Sequence, residues 1–192
     1  MAASNDIAST VTRNRRLRLG AIIAVAVAVG FLAWLILKDG DDNKSNESAG
    51  GGPTAATVPQ LRGLATSVGH PVYWAGARRS ETATYELSRT SNGNIYIRYL
   101  PEGIGVGVPR PDYLTVGTYP FKNAINALKR LSRKQGTVTR QLKGGGLAVA
   151  NAPGAQNIYF AYPGEDVQVE VFHPTAGRAS QLVTSGRIVP VG

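Results

Sequence analysis

Cysteine is missing from this chain altogether. Its absence excludes a lipid attached through an N-terminal Cys, a disulfide framework, a thiolate metal site and a cysteine nucleophile. Histidine is nearly missing too: only His70 and His173 occur, each directly before a proline. They do not stand at a ligand spacing such as H-x-x-x-H, so no metal site is expected. The carboxylates Glu81, Glu86, Glu102, Asp112, Glu165, Asp166 and Glu170 are available to an acid–base pair, yet none sits at a diagnostic distance from either histidine. Both histidines are therefore read as structural or solvated. G-x-S-x-G, S-x-x-K and H-E-x-x-H are all absent. Gly103-Ile104-Gly105-Val106-Gly107 imitates a nucleotide loop, but Pro109 and Pro111 follow it and no helix opens there to present amides to a phosphate. Gly144-Gly145-Gly146 lacks the Lys-Ser/Thr of a P-loop. Both glycine runs read as turns. No catalytic residue and no cofactor is expected.

Acidic residues are scarce, 12 against 21 basic ones, for a net charge of +9. Long apolar runs are scarce as well, with one exception. Leu19–Leu37 reads LGAIIAVAVAVGFLAWLIL, nineteen residues without charge or proline. As a helix it would span roughly 28 Å, close to the ~30 Å hydrocarbon core of a bilayer. Arg13, Arg15, Arg16 and Arg18 crowd its start, while Asp39, Asp41 and Asp42 follow Lys38 at its end. That asymmetry predicts a cytoplasmic N-terminus and an extracytoplasmic remainder, with Trp34 at the outer headgroup boundary. A cleaved signal peptide shares the basic-then-apolar pattern. The run is longer than the usual h-region, however, and Ile36-Leu37-Lys38-Asp39 is no small-residue cleavage site, so an uncleaved signal anchor is expected.

Around this span, 1–18 reads as a cytoplasmic tail and 38–57 as a flexible linker rich in Gly, Ser, Asn and Asp. Such a linker buries too little surface to offset its ordering entropy, and its reach is roughly 25 Å. Two sequon-like triplets within it, at Asn43 and Asn46, are short enough to arise by chance. Residues 58–192 remain, enough for one domain with a real core. Without disulfides, packing alone must hold it.

Leu61, Leu64, Ala65 and Val68 fall at helical spacing behind Pro59, with Gly69 after them, which predicts a first helix. A short extended piece follows at His70–Gly76. Thr82–Thr90 and Asn94–Leu100 read as strands joined at Ser91-Asn92-Gly93, where Asn-Gly is a strong hairpin signal. Tyr113–Tyr119 is another strand. Phe121–Gln135 reads as a helix with Phe121, Ile125, Leu128 and Ser132 on one stripe, Ala124 and Leu131 beside it, stopped by Gly136. Strands are expected at Thr137–Leu142, Leu147–Asn151, Asn157–Tyr162 and Val167–Phe172, then a helix at Thr175–Ser185 and a last strand at Arg187–Val191. Pro-helix-Gly-strand recurs from Pro59, Pro120 and Pro174, and Asn94–Tyr99 echoes Asn157–Tyr162. The pattern predicts an α+β domain with an antiparallel sheet, about three helices and an internal duplication of roughly 60 residues. Helices are expected on one face only. Val167, Val169 and Val171 would then point inward, and Gln168 and Glu170 outward.

Two surfaces are candidates for binding. Lys122, Lys129 and Arg133 form a row on the second helix, suited to an anionic lipid surface or wall polymer, although a solvated face has the same appearance. On the open face of the sheet, Tyr96, Arg98 and Tyr159 form a candidate platform for a glycan, peptide or partner strand.

The run Gly69-His70-Pro71-Val72-Tyr73-Trp74-Ala75-Gly76, with Tyr96-Ile97-Arg98-Tyr99-Leu100-Pro101 after it, resembles the external domain of uncharacterised single-pass cell-envelope proteins of GC-rich, actinobacterial-type bacteria. The resemblance implies no activity and transfers no functional residue. A cytoplasmic protein of this charge would point to nucleic acid. An outward-facing one points to anionic lipid, wall polymer or a membrane protein partner, and not to nucleic acid. The expected function is a membrane-anchored binding or accessory module. A wall-polymer hydrolase or transferase using a histidine and a carboxylate is the alternative, and a scaffold subunit of a membrane complex is a third reading.

Overall fold

The computed structural model describes residues 52–79 and 84–192. The expected tail, the span 19–37 and the linker up to residue 51 lie outside the described residues. Among those residues no helix is long and apolar enough to cross a membrane. Residues 52–79, 84–108 and 112–192 belong to one compact unit, and Pro109–Pro111 fall outside it.

Regular structure is present before residue 58, within the stretch that composition reads as linker. Thr54–Ala56 is strand β1, paired antiparallel with β3 (Tyr85–Arg89), so the last part of the expected linker is sheet edge. Ala56 is buried there, and backbone pairing supplies what the side chains lack. Helix α1 (Val58–Ser67) follows, its first turn tied down where Gln60 Oε1 accepts the Thr57 N–H at 2.8 Å. After the two-residue strand β2 (Tyr73–Trp74), β3 and β4 (Ile95–Tyr99) form the expected hairpin, with Gly93 at φ 85° in its turn.

Strand β5 (Thr115–Pro120) leads into helix α2 (Ala124–Leu131), which is shorter at both ends than the periodicity predicts. Asn123 adopts the left-handed conformation at φ 56°, and its N–H donates to Asp166 Oδ1 at 2.9 Å. The Phe121 N–H donates to the Asp166 carbonyl at 2.8 Å, so the chain is held in a turn until Ala124. Beyond Leu131 the backbone winds on in turns stopped at Gly136. The buried stripe is consequently Ala124, Ala127, Leu128 and Leu131, with Phe121, Ile125 and Ser132 only half-buried. Strands β6 (Val138–Gln141), β7 (Leu147–Ala150), β8 (Asn157–Ala161) and β9 (Val167–Phe172) come next. Helix α3 (Arg178–Thr184) and strand β10 (Val189–Pro190) complete the order.

The fold is α+β, with three helices among the described residues. Eight strands form one antiparallel sheet in the order β1-β3-β4-β5-β9-β8-β7-β6, and β10 pairs with β2 in a small second sheet. From the central β5/β9 pair both halves retrace the chain outward, through β4 and β3 on one side and β8 and β7 on the other.

Both faces of the sheet are covered, not one. Ile95, Ile97, Val116, Ile158, Phe160, Val167, Val169 and Val171 share a core with Leu61 and Leu64 of α1 and with Ala179 and Val183 of α3. The valines point inward as expected. On the opposite face α2 packs on β7, β8 and β9. Gln168 and Glu170, expected in solvent, are therefore buried at 0% and 4% exposure. The sequence carries a sign of this: Leu147–Ala150 is apolar on every residue, as strands covered on both sides are.

Candidate functional site

Alternation places Tyr96, Arg98 and Tyr159 on the same face of the sheet, and the strand register agrees, with Tyr96 opposite Gly117, Gly117 opposite Glu170 and Glu170 opposite Tyr159. They do not form an open platform. Tyr159 is 2% exposed on the face that α2 covers. Its hydroxyl meets Glu170 Oε1 at 3.1 Å, where Asn157 Nδ2 also donates at 2.6 Å, and the Tyr119 hydroxyl donates to Glu170 Oε2 at 2.5 Å. Burial raises the Glu170 carboxyl above its ordinary pKa, against these hydrogen bonds, and raises the Tyr159 and Tyr119 hydroxyls as well. Gly117 makes the arrangement possible, since a Cβ there would lie 2.6 Å from the Tyr119 hydroxyl.

Arg98 is engaged too. Its guanidinium pairs with Glu86 Oε1 at 2.5 Å, donates to the Val108 carbonyl at 3.2 Å and lies over the Tyr113 ring at 5.2 Å. Glu86 Oε2 accepts the Gly107 N–H at 2.6 Å. The glycine run 103–107 thus closes over this side of the sheet as a turn, with Gly103 and Gly107 at positive φ. Charge pairing and a covering loop leave Arg98 in a structural role, and the platform reading is corrected accordingly.

Lys122, Lys129 and Arg133 are all exposed, as expected of the basic row. Only Lys129 lies within α2; Lys122 and Arg133 stand in the turns that flank it.

A second basic site is not evident from any local stretch. At one end of the central strands, where β4 and β9 end and β5 begins, a cleft of about 450 Å³ opens. Arg78, Arg79, Arg187, Asp112, Tyr113 and His173 are among its lining residues. Arg78 is held in place: its guanidinium donates to the Tyr99 carbonyl at 2.6 Å and to the Leu100 carbonyl, and sits over the Tyr99 ring at 5.4 Å. The Tyr99 hydroxyl accepts the Ala75 N–H at 2.6 Å and donates to the Gly76 carbonyl at 3.2 Å, fixing the segment that carries both arginines. Tyr113 is 5% exposed, and its hydroxyl has no hydrogen-bond partner among the described residues.

The two histidines separate here. His70 Nδ1 lies 2.9 Å from the Pro71 carbonyl, a local contact outside the cleft. His173 lines the cleft, and its Nδ1 accepts the Thr175 N–H at 3.0 Å. Burial, helped by the Arg178 charge, lowers its pKa, so the ring is neutral at pH 7 with its proton on Nε2. Sequence reasoning missed this cleft because its residues come from five separate segments, none of which bears a motif. Among the described residues no group of three metal-ligating side chains converges. Comparison with known proteins gives no matching family, no matching curated protein and no matching solved structure.

Proposed function

We propose that this chain is a single-pass membrane protein. In this reading 19–37 is an uncleaved anchor, and the α+β domain is an extracytoplasmic binding module for an anionic component of the cell envelope. The anchor rests on the uncharged nineteen-residue run and the arginines before it. Membership of a group of single-pass envelope proteins of GC-rich bacteria, and descent of the domain by internal duplication, belong to the same reading. The duplication is supported by the way both halves of the sheet retrace the chain from β5/β9.

One observation carries the binding role: Lys122, Lys129 and Arg133 stand exposed around α2, and no carboxylate among the described residues pairs with them. Each basic residue near an anionic surface contributes about 1 kcal/mol. Replacing the three by Gln should therefore weaken binding of the domain to anionic vesicles by on the order of 100-fold. Binding of the unaltered domain should also fall as salt rises. Binding that is indifferent to both salt and the substitutions would contradict the reading.

A wall-polymer hydrolase or transferase is the second reading, favoured by His173 and Asp112 lining one cleft. Cells carrying His173→Asn and Asp112→Asn that keep the unaltered phenotype would exclude it.

A further inference from the structure

We propose that the cleft bounded by Arg78, Arg79 and Arg187 is a binding site for a phosphate monoester. The inference deepens the binding-module reading and rests on it. Three arginines and one acidic residue, Asp112, line the cleft, and no ion pair joins them among the described residues. With His173 neutral, two positive charges are left uncompensated, the complement of a dianionic group. Guanidinium forks match phosphate oxygens bidentately, which an ammonium cannot do.

Two features make the site a prepared one. Arg78 is already immobilised by two backbone carbonyls and the Tyr99 ring, so a ligand would lose little side-chain freedom in engaging it. The Tyr113 hydroxyl is an unmet buried polar group in a residue that lines the cleft. His173 Nε2–H adds a neutral donor. The apolar side chains of Leu114 and Leu182 line the same cleft and would take the organic part of the ester. The monoester could reach the site on a lipid headgroup or on a soluble sugar, and the chemistry recognised is the same.

The test is calorimetric titration of the full-length chain in uncharged detergent. Glucose 1-phosphate serves as a soluble monoester and dihexanoyl phosphatidic acid as a lipid monoester. Dihexanoyl phosphatidylglycerol is the diester control. At least one monoester should bind tenfold or more tightly than the diester, and the tighter of the two identifies the source. Arg79→Gln and Arg187→Gln should each weaken that binding about tenfold. Arg79 is exposed and makes no side-chain hydrogen bond among the described residues, so its substitution tests the site without threatening the fold. Tyr113→Phe should leave the unliganded protein as stable or more stable, because it deletes an unsatisfied hydroxyl. Absence of monoester binding, equal binding of the diester, or monoester binding unchanged in Arg79→Gln would overturn the proposal. If vesicle binding through Lys122, Lys129 and Arg133 survives that result, only the cleft assignment falls and the binding module stands.

Discussion

At Gly117 the missing side chain is a structural element in its own right. The Tyr119 hydroxyl occupies the space a Cβ would need, and from there it donates to the buried Glu170 carboxylate. Gly117→Ala should cost ~1–3 kcal/mol through overpacking. Tyr119→Phe should cost about 1–3 kcal/mol by removing one of the donors that satisfy Glu170. Loss of the hydroxyl's contact is common to both, although the ring Cζ and Cε2 would still lie 2.9 and 3.1 Å from an added Cβ, so the double substitution should cost somewhat less than both together. Urea unfolding of the four proteins measures the coupling, and strictly additive costs would contradict the shared cause. Nothing in the sequence around Gly117 announces this. Glu170 looks solvated because it alternates with Val169 and Val171, and alternation alone does not tell that α2 covers the other face.

Among the elements, the hairpin at Asn92-Gly93 and the strands from β6 to β9 were legible in the sequence, because turn chemistry and period-two patterning are local signals. Helix α2 was less so. Its start depends on Asp166, more than forty residues away, which accepts the Asn123 N–H and the Phe121 N–H and so ends the turn before Ala124. Asp166→Ala should remove the side-chain half of this contact and cost ~1 kcal/mol, in the range of lost helix caps. It should also raise amide exchange at Asn123 and in the first turn of α2 more than in β4. Uniform exchange across the domain would show that the contact does not set the helix start. Strand β1 escaped for a related reason: Thr54–Ala56 has no apolar pattern of its own and is ordered by its pairing with β3.

For the molecule as a whole, composition and charge did not describe its surfaces. The cleft shows why. Arg78 and Arg79 follow β2, Tyr113 precedes β5, His173 follows β9 and Arg187 follows α3. Only the meeting of these strand and helix ends in space makes a site of them. In the proposed reading, an extracytoplasmic placement of that site rests on the span 19–37 and the charges that flank it in the sequence. Treating intact spheroplasts with external protease, with tags at both termini, tests this most directly. The proposal predicts that the protein sediments with membranes and loses its C-terminal tag while the N-terminal tag stays protected. Full-length protein in the soluble fraction, or a C-terminal tag untouched by protease, would contradict it.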